Sequence, residues 1–98
     1  MKEAKAYQKK PVKIQAIQWT GDNLKDVIRF TGWHKSASEK WTWEEYKQVV
    51  KEKGLKIFTM EGSYIAKVGS YIIKGVEGEF YPCDDRIFNK TYELVKGE

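Results

Sequence analysis

The chain carries one histidine, His34, and one cysteine, Cys83. A Cys–His nucleophile pair needs both groups within hydrogen-bond reach and a third group to orient the base. His34 lies in the polar run Trp33 to Lys40, which reads as a loop, and a lone cysteine is most simply a small buried apolar residue. Asp84 and Asp85 are adjacent, so on a helical turn their side chains diverge by about 100°. Following Pro82 they suit the positive end of a short helix better than a metal site. No His/Cys spacing matches a zinc site. Gly75-Val76-Glu77-Gly78 lacks the strand–loop–helix setting and the Lys-Ser/Thr of a phosphate loop, so its glycines read as turn residues. No catalytic residue, metal ligand or cofactor is therefore expected.

Binding offers more. Alternation along a strand places Glu79 and Tyr81 on one side and Phe80 on the other. If Lys74 joins Glu79 and Tyr81 on a concave face, ammonium, carboxylate and ring suit a phosphate, a ribose or base edge and a base. Trp19 and Arg86 are expected at the edge of that site. The plainer account is a half-polar sheet face. Trp33, Trp41, Trp43 and Tyr46 form a second candidate set, since Trp and Tyr are enriched at interface hot spots.

The elements that must position these residues read as α+β. Residues 1–6 form a basic tail, and Pro11 opens a strand over Val12 to Trp19. Its apolar phase slips from Val12, Ile14 and Ala16 to Ile17 and Trp19. A bulge near Ala16, or a second half covered on both faces, would explain the slip. After a turn in which Asp22 or Asn23 can cap, Leu24, Val27, Ile28 and Thr31 mark one helical face, and Gly32 stops it. Thr42-Trp43-Glu44-Glu45 is a capping box for a second helix, ended by Gly54. Leu55 to Met60 and Ser63 to Val68 flank a Glu61-Gly62 turn, a hairpin signal. Tyr71 to Lys74 and Glu79 to Tyr81 flank the next turn. Asp84 to Asn89 is a helical turn with Ile87 and Phe88 facing in, and Thr91 to Val95 closes the sheet. The whole is expected to be a single domain, residues 1–98: one curved, mostly antiparallel sheet of five or six strands, with two helices inserted after the first strand and a short C-terminal helical turn.

Ninety-eight residues suffice for one core. The hydrophobic share of 41% beside 33% charged residues is that of a globular chain, while 14% aromatics is high. The formal charge of +4 is concentrated at the start. Residues 1–10 hold four lysines against one glutamate, a net of +3, which leaves the rest nearly neutral. With only Arg29 and Arg86 as arginines, a nucleic-acid partner is not expected. One cysteine precludes an internal disulfide and fits a reducing cytosol. No apolar run of about 18 residues suggests a membrane span.

The segment Gly69 to Tyr92, GSYIIKGVEGEFYPCDDRIFNKTY, resembles one that recurs in small proteins of tailed phages and prophages, close to GDYIIKGVxGEFYPCxPDIFxxTYE. Tyr7 to Val12 and Ile14 to Gly21 resemble the opening of the same proteins. Residues 33–54 do not, and read as an insertion of this branch. The resemblance implies a protein acting in the cytoplasm of an infected bacterial host cell. The expected function is counter-defence: binding and sequestering a host nucleotide immune signal, a cyclic oligonucleotide or an ADP-ribose-type messenger. A homo-oligomer is expected, because an interface supplies walls that a small domain lacks. One alternative is an anti-CRISPR-like inhibitor that meets a host defence protein through the Trp-rich insertion. Another is a metal-independent enzyme degrading a nucleotide signal.

Overall fold

The computed structural model describes residues 3–32 and 41–95, which contain five strands and three helices. Strand β1 (Gln15–Gln18) leads into helix α1 (Leu24–Thr31), and helix α2 (Trp43–Lys53) into the hairpin β2 (Leu55–Thr59) and β3 (Gly62–Ala66). Strands β4 (Tyr71–Lys74) and β5 (Phe80–Cys83) then precede helix α3 (Asp85–Thr91). The fold is α+β, and every strand pairing is antiparallel.

The strands form two sheets rather than one: β1–β4–β5, and the separate hairpin β2–β3. The single meander expected from Leu55 onward breaks between β3 and β4. There the Trp19 N–H donates to Ser70 O at 2.8 Å and the Gly69 N–H to Trp19 O at 2.6 Å. These two bonds commit β4 to β1 instead of β3.

Ile72 and Ile73, adjacent on β4 and 0% and 1% exposed, point to opposite faces. Ile72 joins a core with Leu24, Val27 and Ile28 of α1, Tyr46 and Val50 of α2, and Leu55 and Ile57 of β2. Ile17 and Phe80 flank that core, and Phe80 meets Phe30 edge-on at 5.6 Å. No bulge interrupts β1, whose register runs unbroken from Gln15↔Lys74 to Gln18↔Tyr71. The phase slip is instead a division of labour. Ile17 and Trp19 serve the core, while the Val12, Ile14 and Ala16 set is half-buried or exposed.

The helix ends follow local chemistry. Thr42 and Glu45 make the expected reciprocal capping box, at 3.2 and 2.9 Å. Asn23 precedes α1 without capping it by its side chain. Its amide instead accepts from the Thr20 N–H at 3.0 Å and donates to Gln18 O at 2.8 Å, fastening the β1–α1 turn. Gly54 ends α2 at φ +91°, and a Cβ there would lie 2.6 Å from Ile65 Cγ2. Both the backbone and the neighbouring strand therefore require glycine.

The C-terminal expectations change most. Thr91 to Val95 is not a strand: α3 runs through Thr91, and Tyr92 to Val95 continues without a ladder partner. Ile87 is 59% exposed, and no residue of α3 is fully buried. Within α3 only Phe88 is half-buried, and its ring lies on Tyr71 of β4. Ile72→Ala should accordingly cost about 2–5 kcal/mol, and the half-buried Phe88→Ala clearly less. Urea unfolding of both variants checks the order; an equal or larger loss at Phe88 would place α3 inside the core.

Candidate functional site

A groove of about 1340 Å³ follows β1 and the arm that precedes it. All residues from Lys9 to Ala16 line it, both alternating sets together, so the groove borders the strand's edge and not one of its faces. β1 is an outer strand of its sheet, which leaves that edge open. Lys74 and Phe30 wall the groove from one side of the sheet, and Tyr71, Phe88 and Tyr92 from the other.

The aromatic wall has a local cause. Asp84 accepts from the Arg86 N–H at 2.9 Å and starts α3 directly after β5. Phe88 follows one turn later and lies flat against Tyr71, with ring centres 3.9 Å apart and planes 7° apart. Tyr92, four residues on, stacks against Phe88 at 5.0 Å. The Lys9 ammonium sits 4.0 Å above the Tyr92 ring and donates to its hydroxyl, pinning the arm to the end of α3. Lys10, Lys13 and Lys74 have no ion-pair partner among the described residues. Glu93 is the one acid in the lining. The groove is a strip of cations backed by rings.

Of the five residues expected to hold a ligand together, only Lys74 lines this groove. Lys74 pairs with Phe80 and Tyr81 with Ile73, so Lys74 and Tyr81 occupy opposite faces of the sheet. Glu79 folds over its own turn, accepting from the Glu77 N–H at 3.0 Å, and its carboxylate fills the space beside Gly75. Trp19 is 4% exposed and belongs to the core. Arg86 projects into solvent from α3, 3.7 Å from Asp84. The expected pocket is thus dispersed, because the β4–β5 register places Lys74 and Tyr81 on different sides.

Trp41 and Tyr46 of the second candidate set do converge. They stack at 6.1 Å and line an apolar cavity of about 350 Å³ with Val49, Leu55, Phe58 and Ile65. Trp43 packs against Tyr46 at 6.3 Å, beneath the Lys25 ammonium at 5.8 Å. Trp33 and His34 lie outside the described residues. The residues that sequence reasoning missed are Lys9 and Lys10, counted with the charged first ten residues, Lys13, placed in the first strand without a role, and the Tyr71–Phe88–Tyr92 ladder. The i, i+4 spacing of Phe88 and Tyr92 was the available signal.

Two hydroxyls and the thiol are shifted. Burial raises Tyr46, and burial followed by the charges of Glu79 and Cys83 raises Tyr81. Cys83 is also pushed up, by burial first and then by Asp84, with Lys9 acting the other way. Its Sγ donates to Asp84 O at 3.6 Å. A nucleophilic cysteine needs the opposite shift. Among the described residues no three His, Cys, Asp or Glu side chains gather where they could hold a metal ion. Nor is any helix of the described residues long and apolar enough to cross a membrane.

No family model, curated protein or solved structure matches the chain. Fold and groove together define an α+β protein with a basic, aromatic-backed strand edge. The raised thiol carries a direct expectation: at neutral pH, Cys83 should react with iodoacetamide more slowly than free cysteine. Its rate should climb only as pH passes above the ordinary thiol range, because a raised pKa withholds the thiolate. Mass-spectrometric alkylation rates across pH check this, and faster labelling than free cysteine at pH 7 would contradict it.

Proposed function

We propose that the protein binds and sequesters a phosphorylated, nucleotide-type ligand in the β1 groove. Its setting would be phage counter-defence, the ligand being a host immune signal such as a cyclic oligonucleotide or an ADP-ribose-type messenger. The observation that carries this reading is the convergence of Lys10, Lys13 and Lys74, unpaired among the described residues, on one groove. Unpaired ammoniums in one concavity raise the local concentration of anions and donate to phosphate oxygens without first breaking an internal ion pair. The phage setting rests on the resemblance of Gly69 to Tyr92 to a phage-protein segment.

Binding without turnover suits the groups present. Burial pushes the one thiol's pKa up, which disfavours the thiolate, and the Glu79 carboxylate accepts from the Glu77 backbone N–H. A role as a homo-oligomer is compatible with a groove open along one edge, which a second copy could wall.

A second reading has its own observation. Trp41, Phe58 and Ile65, 39%, 43% and 52% exposed, surround the 350 Å³ cavity beside α2. An inhibitor of a host defence protein would use that surface, where aromatic anchors concentrate binding energy.

The two readings separate in one experiment. Pure protein is incubated with a panel of cyclic nucleotides and ADP-ribose derivatives, and the supernatant is chromatographed before and after heat denaturation. Depletion followed by intact release is expected. An altered product would mean an enzyme, and no depletion with a host polypeptide captured would favour the α2 surface. Lys10→Ala, Lys13→Ala and Lys74→Ala should each weaken capture by about 1 kcal/mol, the upper range for an exposed charge pair. Deleting residues 1–6 should leave capture unchanged, since the groove begins at Lys9.

A further inference from the structure

The charges of the groove are distributed along a line. Lys74 sits opposite Gln15 in the β1–β4 ladder, and Gln15 lies six residues beyond Lys9. At roughly 3.3 Å per residue, the cationic strip extends over as much as about 20 Å, less the bend at Pro11 where the Val12 N–H bonds back to Lys10 O at 2.8 Å. A lone phosphate or pyrophosphate reaches one end of such a strip. A chain with a phosphate at every nucleotide can meet Lys9, Lys10, Lys13 and Lys74 in succession.

The space agrees with the charges. The groove's volume of about 1340 Å³ exceeds the roughly 300–1,000 Å³ of pockets that enclose small molecules. It is lined by consecutive residues, which makes it a channel along the chain and not a cup. The rings contribute a further constraint. Phe88 stacks against both Tyr71 and Tyr92, and Lys9 covers Tyr92, so the ladder spends its faces internally. Little is left to sandwich a single base, and contact falls mainly to phosphates.

Resting on the nucleotide-binding reading above, we infer that the groove takes an extended single-stranded oligonucleotide, held through its phosphates with little regard to base. This departs from the expectation drawn from composition that nucleic acid is no partner. A net charge concentrated in the first ten residues looked unused, whereas the fold lays Lys9 and Lys10 from that stretch, with Lys13, along the same groove as Lys74. Duplex DNA does not fit the same description: its two strands present phosphates on a broad cylinder, and the site is a single narrow strip with only one edge open.

The test uses the full chain and fluorescently labelled oligothymidylates and oligoadenylates from about one to about eight nucleotides, a range that spans small single-strand sites. Anisotropy titrations are run at several salt concentrations. Affinity should rise at least about tenfold from one to four nucleotides, alike for both bases. The log–log salt slope should be about −2 to −3, as for three to four phosphates on a single strand. The triple variant Lys10→Ala/Lys13→Ala/Lys74→Ala, checked for an unchanged melting temperature, should lose about two units of that slope.

A mononucleotide bound as tightly as the longest oligomer would overturn the inference while sparing the nucleotide-binding reading. So would capture of an ADP-ribose derivative without oligonucleotide binding. Duplex or an acidic polypeptide bound as tightly as single strand would reduce the groove to general polyanion attraction and overturn it. Failure of every nucleotide, short or long, would sink both.

Discussion

The structure depends on burying β4 on both faces. Ile72 and Ile73 are consecutive and nearly inaccessible, so one strand requires cover on two sides in a chain of 98 residues. Helices α1 and α2 with the β2–β3 hairpin supply the first cover and bring most of the large apolar residues with them. The second face is left to small resources: Tyr71, the short helix α3, and the neighbouring side chains of β1 and β5. That asymmetry explains why Phe88 stacks flat on Tyr71 while Ile87 faces water. A single rank of rings is enough to close a face one strand wide.

The groove is a by-product of the same arrangement. Because β4 is central, β1 must be an edge, and an edge strand presents unpaired backbone groups that invite association. Pro11 and the lysines around it are the residues that discourage unwanted pairing there. Edge protection alone would be served by lysines pointing anywhere into solvent. Here Lys9 is instead anchored on Tyr92, which holds the arm against α3 and turns Lys10 and Lys13 into members of a defined strip. Edge protection and the proposed ligand contact would thus draw on the same charges.

The sequence shows the elements well and their partnerships poorly. The capping box at Thr42 and Glu45, the glycine stops at Gly32 and Gly54, and the β2–β3 turn are each written in a few adjacent residues. Local signals of that kind survive folding. The β3–β4 break is set by two backbone bonds between Trp19 and the Gly69–Ser70 turn, fifty residues away in the chain, and no periodicity reports them. The pocket expected around Lys74 and Tyr81 fails for a related reason. Alternation assigns faces within each strand, but only the register shows that Lys74 lies opposite Phe80 and Tyr81 opposite Ile73. A shift of one residue would have reversed the outcome. Trp19 illustrates a further ambiguity: an aromatic at a strand end reads equally well as a ligand platform or as core, and the packing against α1 decides for core.

Size constrains how such a domain can recognise anything. A core that already engages both faces of β4 has little room to spare for a polar ligand, because a cavity inside a small domain costs contacts that it cannot replace elsewhere. An edge or a surface cleft is the cheaper place for a ligand in a domain of this size. The β1 groove is such an edge, and its charges need no burial, so occupying it costs little desolvation and leaves the core untouched. The cleft beside α2 is the other outlet, apolar where the groove is basic. The two lie on different elements and differ in chemistry, and for that reason substitutions in Lys10, Lys13 and Lys74 report on the groove without disturbing Trp41 and Tyr46.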